Sequence, residues 1–297
     1  MKTITKTISL LLLITFIFAC ENETSQNTVE ENLGDIAVSD EIAQKAGPWT
    51  RQFTDNFDNT VSTSKWERTN RRDYNSNNCE YVSGNPRVTN FDNRSCLELS
   101  AYRYSNRYRS GHVKSRFSFK PNRNEQYRVS ASIKLIAKQG SNYKGFAQTY
   151  GAWPAFWTVK EQNWPTGGEI DIMEGYSFGN SSHFASNLFY GTSTGQNLLE
   201  TNAERRYPNS EGWHTYDLYW TNINGNVYLD ILVDGNKVAN YYNGIDSDLR
   251  LQNFGPHNVI FNLNVGSDTG IFDNSRINLF SRTYMYVDYV HVDKRTL

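Results

Sequence analysis

Short runs in which apolar and polar residues alternate recur along this chain from about residue 47 to its end. Alternation with a period of two is typical of β-strands that bury one face. In residues 127–137 it predicts a strand with four side chains on its buried face: Val129, Ala131, Ile133 and Leu135. Many short strands of this kind predict an all-β fold, in which two antiparallel sheets pack face to face as a jelly-roll sandwich.

Turn residues separate the alternating runs. Two β-rich runs in residues 226–242 are joined at Asp234-Gly235-Asn236, which predicts a hairpin. Residues 47–297 contain no Pro/Gly-rich break and no repeat, and 38% of the 297-residue chain is hydrophobic. That composition is ample for one sizeable core. We therefore expect a single β-domain over residues 47–297.

The first twenty residues differ in character from this domain. Lys2 and Lys6 precede an apolar stretch over residues 8–18, which is followed by Ala19 and Cys20. A basic start, a short apolar stretch and a small residue predict an export signal. The cysteine after Ala19 resembles that of a bacterial lipoprotein signal, in which it becomes the lipidated N-terminus. A plain secretory signal is the alternative, because the residue before Ala19 is large. We expect an exported protein, either secreted or attached to the cell envelope through a lipid on Cys20.

Residues 21–46 are acidic and polar and contain no aromatic residue, which predicts a flexible tether between anchor and domain. The domain itself contains Cys79 and Cys96. Export permits a disulfide between them, and two free buried thiols are the alternative. Two cysteines without a nearby pair of histidines do not indicate a zinc site.

Three carboxylates lie within six residues, at Glu169, Asp171 and Glu174. In a helix the two glutamates, five residues apart, would diverge by about 140°. In a regular strand Glu169 and Asp171 share one face, whereas Glu174 points the opposite way. One extra residue at Ile172-Met173, a β-bulge, returns Glu174 to the face of the other two. We therefore predict a bulged strand with all three carboxylates on one face.

Three carboxylates on one face repel one another when all are ionised, so at least one must hold a proton. A raised pKa is what an acid/base catalyst needs. Two glutamates that converge across an aspartate suit glycoside hydrolysis with retention, in which the carboxyl groups stand about 5–5.5 Å apart. We predict Glu169 as the nucleophile, Glu174 as the general acid and then base, and Asp171 as a hydrogen-bonding support between them. A polar outer strand face and a calcium site are the alternatives to a catalytic site.

The stretch GEIDIMEG, residues 168–175, resembles the active-site strand of glycoside hydrolase family 16. Its pattern Glu-x-Asp-x-x-Glu is that of the bulged branch, which contains laminarinases, agarases, porphyranases and carrageenases. Three further stretches resemble the family's opening strand, the strand before the catalytic one and the closing strand: NFDNTVSTSKWERTN, GAWPAFWTV and YVDYVHVDKR, the last with Tyr286 where tryptophan is common. The resemblance covers most of residues 50–295. It implies a β-jelly roll with an open concave cleft and a retaining endo-hydrolase.

Tryptophans upstream of Glu169 are candidates for a sugar platform, because flat aromatic rings cover the C–H faces of sugars. Trp164 matches a position that borders the cleft in laminarinase-like members of the family, and Trp153 is the next candidate. Trp157 is either a platform or a core residue, since alternation does not say which face is inward. The resemblance also places Asn187 on the strand beside the catalytic one, where it is a candidate for contacts with sugar hydroxyls.

Arg71, Arg72 and Arg109 belong to two arginine-rich segments of the chain. Guanidinium groups bind sulfate or carboxylate through paired N–H groups, so these arginines predict a sulfated substrate. A solvated strand face with charge partners elsewhere is the alternative. Interleaved Tyr and Arg also suit single-stranded nucleic acid, but a formal net charge of −1 and an export signal argue against that partner.

These residues together predict a retaining endo-glycoside hydrolase that cleaves β-1,4 linkages in a red-algal sulfated galactan of the porphyran or agar type. A β-1,3-glucan hydrolase is the first alternative. The sequence WPTGGE departs from the WPACGE common in laminarinases, which weakens that alternative without excluding it. A carbohydrate-binding lectin without catalysis is the second, and the presence of all three acids argues against it.

The expected partner is the polysaccharide substrate, with no nucleic acid, a monomeric chain and contact with a membrane only through the lipid anchor. No catalytic cofactor is expected. A structural calcium ion, common in this fold, would draw on acids near the first and last strands, such as Asp55, Asp58 and Asp288.

Overall fold

β-Strands make up nearly all regular structure in the computed structural model, which describes residues 46–297 apart from 73–75, 77, 202–204, 207–210, 245–248 and 278–281. The predicted leader (1–20), its lipidation site Cys20 and all but the last residue of the predicted tether (21–46) lie outside the described residues. Within the described ranges there is no α-helix, and no helical segment is long and apolar enough to cross a membrane.

The strands follow one another closely along the chain. The first eleven are β1 Thr50–Asp55, β2 Trp66–Arg68, β3 Arg71–Arg72, β4 Cys79–Tyr81, β5 Arg87–Phe91, β6 Arg94–Tyr104, β7 Arg107–Ser110, β8 His112–Phe119, β9 Glu125–Gln139, β10 Asn142–Gly145 and β11 Ala152–Val159. The others are β12 Glu169–Ser177, β13 Ser182–Ala185, β14 Asn187–Tyr190, β15 Leu198–Thr201, β16 Arg205–Arg206, β17 Trp213–Ile223, β18 Asn226–Val233, β19 Asn236–Tyr242, β20 His257–Val265 and β21 Arg282–Thr296. Short 3-10 turns occur at Phe146–Gln148, Leu251–Asn253 and Asn274–Arg276.

The described strands form two sheets. In the first sheet, of twelve strands, the order is β19-β18-β17-β9-β21-β6-β7-β4-β3, with β1, β10 and β5 paired to β21, β9 and β6. In the second sheet, of nine strands, the order is β15-β14-β12-β11-β20-β8-β2, with β13 paired to β12 and β16. Neighbours run antiparallel, but β4 and β7 run parallel, with Cys79 opposite Tyr108. The predicted fold class, a jelly-roll sandwich of two antiparallel sheets, is confirmed.

The main core lies between the two sheets. The four residues predicted for one face of residues 127–137 are all buried there, on β9. The second sheet contributes Phe156 and Ile170 to the same cluster. Each of these side chains other than that of Ala131 contributes roughly 1.5–3 kcal/mol when fully buried. Side chains that point the other way from β11 and β12 lie on the outer face of the second sheet, where the three acids are found.

The predicted hairpin joins β18 to β19. Val233 pairs with Asn236, so the turn residues are Asp234 and Gly235. Both have positive φ, 50° and 78°, which is the conformation that a two-residue type I′ turn requires. The Asp-Gly signal in the sequence therefore has a direct conformational cause.

Cys79 and Cys96 are free thiols rather than a disulfide. Cys79 packs in the main core, whereas Cys96 lies in a separate cluster with Tyr284 and Tyr286 on the first sheet. The structure therefore has the second of the two arrangements that the sequence left open.

Both thiols are expected to be unreactive in the native protein. Burial raises the pKa of each to about 12, and the thiolate is the reactive form. Iodoacetamide at pH 8 should therefore label neither cysteine quickly in folded protein and both after denaturation, as measured by peptide mass mapping. A linked Cys79–Cys96 peptide under non-reducing conditions would contradict the free-thiol arrangement.

The acids suggested for calcium have other partners. Asp55 accepts hydrogen bonds from the Trp66 indole at 2.8 Å and from the backbone N–H of Phe57 at 3.0 Å. Asp288 forms an ion pair with Arg94, and Asp58 is exposed. No group of three or more His, Cys, Asp or Glu side chains with metal-binding geometry occurs within the described part of the chain. Calcium binding stays a prediction from the sequence.

Candidate active site

A bulge in β12 brings the three acids to one face. Asp171 lies opposite Trp157 and Met173 lies opposite Phe156, so Ile172 is the extra residue on β12. Ile172 and Met173, although consecutive, both pack in the main core. The next residue, Glu174, therefore returns to the face of Asp171. The predicted bulge is confirmed, at the position where the spacing required it.

Glu174 is held by three neutral donors. The indole N–H of Trp153 donates to Oε1 at 2.8 Å. The amide of Asn187 and the hydroxyl of Tyr176 donate to Oε2, at 2.5 and 3.1 Å. These donors come from β11, β14 and β12, so both carboxyl oxygens are oriented by neighbouring strands of the second sheet.

Glu169 lies at the start of β12 and is partly exposed. It accepts one hydrogen bond, 2.7 Å long, from the indole N–H of Trp164 to its Oε2. The loop that carries Trp164 is fastened at Gly167, whose carbonyl accepts from the backbone N–H of Gly255 at 2.9 Å and lies 3.0 Å from the buried His257 ring. The donor to Glu169 is thus placed by a loop tied to β20 and the turn before it.

Asp171 lies between the two glutamates in sequence and is only 3% exposed. Its Oδ2 is buried without a hydrogen-bond partner among the described residues. Burial, and then the charges of Glu174 and Glu169, raise the pKa of Asp171 well above its usual value. These causes favour the protonated form of Asp171, and its carboxyl is hydrogen-bonded to that of Glu174.

The two glutamates also have raised pKa values, with burial as the largest cause in both. The charge of Glu174 raises the pKa of Glu169 further, and the Trp164 donor opposes this. Around Glu174, the donors Asn187, Trp153 and Tyr176 lower the pKa against burial. Because the three groups repel one another, they cannot all be ionised at neutral pH. The cluster can therefore donate a proton and also present a carboxylate.

Trp157 lies beside the acids, opposite Asp171, and with its neighbours forms the surface that we call the floor of the site. It lies on the same face, in a small cluster with Ala155, Val159 and Ile260 against which Trp164 packs. Its indole N–H donates to Asn262 Oδ1 at 2.6 Å. The Asn262 amide in turn donates to the hydroxyl of Tyr81 at 3.2 Å, which links this face to β4 of the first sheet.

Both predicted platform tryptophans border the acids. Trp153 and Trp164 are half-buried, and they donate their indole N–H groups to Glu174 and Glu169 respectively. Asn187, predicted to contact substrate, has its amide on Glu174. All three residues therefore lie at the site, where they orient the acids.

The three predicted arginines are divided between two faces. Arg72 and Arg109 both donate through Nε to the buried Glu80, at 2.9 and 2.7 Å. The hydrogen bond from Arg109 is the main reason why the pKa of Glu80 is lowered. Arg71 pairs with Tyr81 of β4. Tyr81 is next to Glu80 in sequence, so its side chain points to the opposite face of the strand. Arg72 and Arg109, whose side chains are exposed and partly exposed, thus form ion pairs with one buried carboxylate. Of the three arginines, only Arg71 pairs with Tyr81, the residue that is linked through Asn262 to Trp157.

Tyr176 lies at the site and contacts Glu174, although it is not among the site residues predicted from the sequence. The signal was present, because a residue two positions after Glu174 shares its face on a strand. The position of both residues at the site depends on the bulge as well, because without Ile172 as an extra residue both side chains would point into the core.

Comparisons with known proteins agree with this site. The model of the family described as "XgeA-like, catalytic GH16 domain" matches residues 114–212, about a third of the chain, and these include all three acids. A probable glycosidase of Schizosaccharomyces pombe is 59% identical over 32 residues, which are 11% of this chain and 7% of that protein. The chain thus spans only a small part of that curated relative.

Solved structures match over most of the domain. A GH16 enzyme of Bacteroides ovatus, from a mixed-linkage glucan utilisation locus and bound to a G4G4G3G product, is 25% identical, covers 81% of this chain and 99% of its own, and has a TM-score of 0.64. An endo-1,3-β-glucanase of Streptomyces sioyaensis, 23% identical over 84% of this chain and 98% of its own, has a TM-score of 0.68 and shows the same fold. The predicted resemblance to glycoside hydrolase family 16 is confirmed.

Proposed function

We propose that this chain, whose fold and catalytic strand match those of glycoside hydrolase family 16, is a retaining endo-hydrolase of a β-linked glucan. The observation that carries the proposal is the bulge at Ile172, which puts Glu169 and Glu174 on one face with unlike surroundings. Glu169 is partly exposed with one donor, whereas Glu174 is buried with three. Unlike surroundings for two carboxyls are what an acid and a nucleophile require.

In the first step, a carboxylate oxygen of Glu169 attacks the anomeric carbon as the glycosidic C–O bond breaks. Glu174 gives its proton to the departing oxygen, so the leaving sugar departs as a neutral alcohol. In the second step, Glu174 takes a proton from water, and the resulting nucleophile displaces Glu169 from the anomeric carbon. The two inversions give net retention. Asp171, whose carboxyl is hydrogen-bonded to that of Glu174, limits the charge that accumulates as the glutamates change state.

A neutral β-1,3- or mixed-linkage glucan is the substrate that the surroundings favour. Two of the three arginines predicted to bind sulfate already have a buried carboxylate as partner, Glu80. The half-buried rings of Trp153 and Trp164 beside the acids suit uncharged sugar faces. The enzymes compared above are described as acting on mixed-linkage glucan and as an endo-1,3-β-glucanase.

The sulfated galactan predicted from the sequence is the second candidate. The observation in its favour is Arg71, an exposed residue opposite Tyr81, whose hydroxyl is linked through Asn262 to the floor beside the acids. A sulfate group that reached this end of the floor would meet a guanidinium.

A panel of polymers tests both candidates. Laminarin, mixed-linkage glucan, agarose, porphyran and desulfated porphyran would be incubated with the protein, and new reducing ends measured. We expect a glucan to be cleaved about tenfold or more faster than any of the three galactans, since pocket contacts commonly discriminate by that much. NMR of the earliest products should show the β-anomer.

Three outcomes would change the proposal. Faster cleavage of porphyran than of its desulfated form and of the glucans would make the sulfated galactan, and not a glucan, the proposed substrate. An inverted product would overturn the double displacement. Binding of a polymer without any new reducing ends would make the protein a lectin.

A further inference from the structure

We propose that Tyr176 is the positioning residue for the general acid: its hydroxyl holds Glu174 Oε2 in place and sets how readily Glu174 gives up its proton. This inference rests on the proposed hydrolase function. It assigns to a residue outside the Glu-x-Asp-x-x-Glu pattern a role in the first chemical step, through Glu174 rather than through the substrate.

The geometry is the basis of the assignment. The Tyr176 hydroxyl lies 3.1 Å from Oε2 of Glu174, and the Asn187 amide donates to the same oxygen. The indole N–H of Trp153 donates to the other oxygen, Oε1. Glu169 accepts only the Trp164 hydrogen bond among those that the structure gives it. With Trp153 on Oε1, the two donors on Oε2 hold the Glu174 carboxyl in one orientation, and Tyr176 is the donor that comes from the same strand as the acid.

The ring of Tyr176 has little freedom to move. It is 5% exposed and lies between Trp153, at 5.9 Å between ring centroids, and Phe272, at 6.3 Å. The residue after Phe272, Asp273, is held by its backbone N–H on the hydroxyl of Tyr150 at 2.9 Å. The hydroxyl of Tyr176 is therefore presented to Glu174 from a fixed position.

The groups around Glu174 determine the sign of the effect. On β12 these are Asp171, Glu169 and Tyr176, and on β11 Trp153. On β14 Asn187 faces it, and on β13 His183 lies opposite Tyr176. Burial, and then the nearby carboxylates, raise the pKa of Tyr176, so its hydroxyl stays protonated and remains a donor. A donor to the ionised carboxyl favours that form and lowers the pKa of Glu174.

The experiment compares Tyr176→Phe with the wild-type enzyme on two substrates. One is the polysaccharide that the wild type cleaves, whose leaving group needs a proton. The other is a nitrophenyl β-glycoside of the same sugar, whose leaving group needs almost none. Tyr216→Phe is the matched control, because Tyr216 is a fully buried tyrosine on β17 of the first sheet.

For Tyr176→Phe we expect kcat/KM on the polysaccharide to fall by roughly tenfold, which is less than the whole contribution of general acid catalysis because Glu174 itself remains. On the nitrophenyl glycoside kcat/KM should change by less than about twofold. The upper apparent pKa of the kcat/KM profile should rise by about one unit, which corresponds to the loss of one hydrogen bond to a charged group. The unfolding temperature should stay within a few degrees of the wild type, because the ring and its neighbours remain.

Equal losses on both substrates, or an upper pKa that does not move, would overturn the proposal. His183→Gln should leave the upper pKa in place; a shift as large as that of Tyr176→Phe would assign the titration to the imidazole instead. If Tyr176→Phe lacks a native unfolding transition, Asn187→Ser, which replaces the other donor to Oε2 by a shorter side chain, tests whether donors to that oxygen set the upper apparent pKa, and an unmoved pKa would overturn the proposal. A wild-type enzyme inactive on both substrates would refute the proposed hydrolase function.

Discussion

Replacing Glu169, the proposed nucleophile, is expected to remove activity almost completely. Glu169→Gln keeps the size and one hydrogen-bonding oxygen of the side chain, but the amide cannot form the glycosyl-enzyme. Without that covalent intermediate the reaction has no two-step path. We expect kcat on any cleaved polymer to fall by on the order of 10⁴-fold or more, measured as new reducing ends over long incubation.

Two further measurements make this assignment specific. A fluorinated glycoside that traps covalent intermediates should add mass to the peptide containing Glu169 in the wild type and not in Glu169→Gln. The variant should unfold at the same temperature or higher, because it replaces a carboxyl whose pKa is raised by burial and by the charge of Glu174. Trapping on Glu174 would exchange the roles of the two glutamates.

Replacing Glu174, the proposed general acid, is expected to have an effect that depends on the leaving group. For Glu174→Gln, kcat/KM on polysaccharide should fall by about 10²–10⁴-fold, the usual contribution of general acid–base catalysis. The first step on a nitrophenyl glycoside needs little acid assistance and should be nearly unimpaired. The second step loses its base, so a burst of nitrophenol equal to the enzyme concentration should precede slow turnover. Stopped-flow absorbance would measure this burst.

The same variant tests the coupling within the acid cluster. The charge of Glu174 raises the pKa of Glu169. Removal of that charge should therefore shift the acidic limb of the kcat/KM profile on the nitrophenyl glycoside to lower pH. An equal loss of kcat/KM on both substrates, with no burst, would contradict the role of Glu174 as proton donor.

The bulge is the part of the site that the sequence predicted best. The period of two in a strand puts Glu174 on the face opposite to Glu169 and Asp171, and a single extra residue at Ile172-Met173 returns it to theirs. The structure shows that this residue is Ile172. The buried face of residues 127–137 and the Asp-Gly turn of the β18–β19 hairpin follow from equally local rules. In each case the relevant conformation is set by neighbours in sequence, and therefore it can be predicted from them.

The partners of the polar side chains did not follow from such rules. Trp153 and Trp164 were expected as sugar platforms, and each also holds a catalytic glutamate through its indole N–H. Arg72 and Arg109 were expected at a sulfate, and both meet Glu80. An indole or guanidinium group can bind several kinds of partner, and the residue type alone does not determine which partner it binds in the fold.

Strand order and register make that choice. Arg72 and Arg109 are 37 positions apart by their numbers, and they reach one carboxylate because β4 lies between β3 and β7, with Glu80 opposite both. Tyr176 and Asn187 meet at one oxygen of Glu174 because β14 follows β12 in the second sheet. The amino-acid pattern specifies which face of a strand a side chain occupies, since that depends on a period of two. Which side chain it meets depends on pairings between distant segments, and these are settled only when both sheets form around the common core.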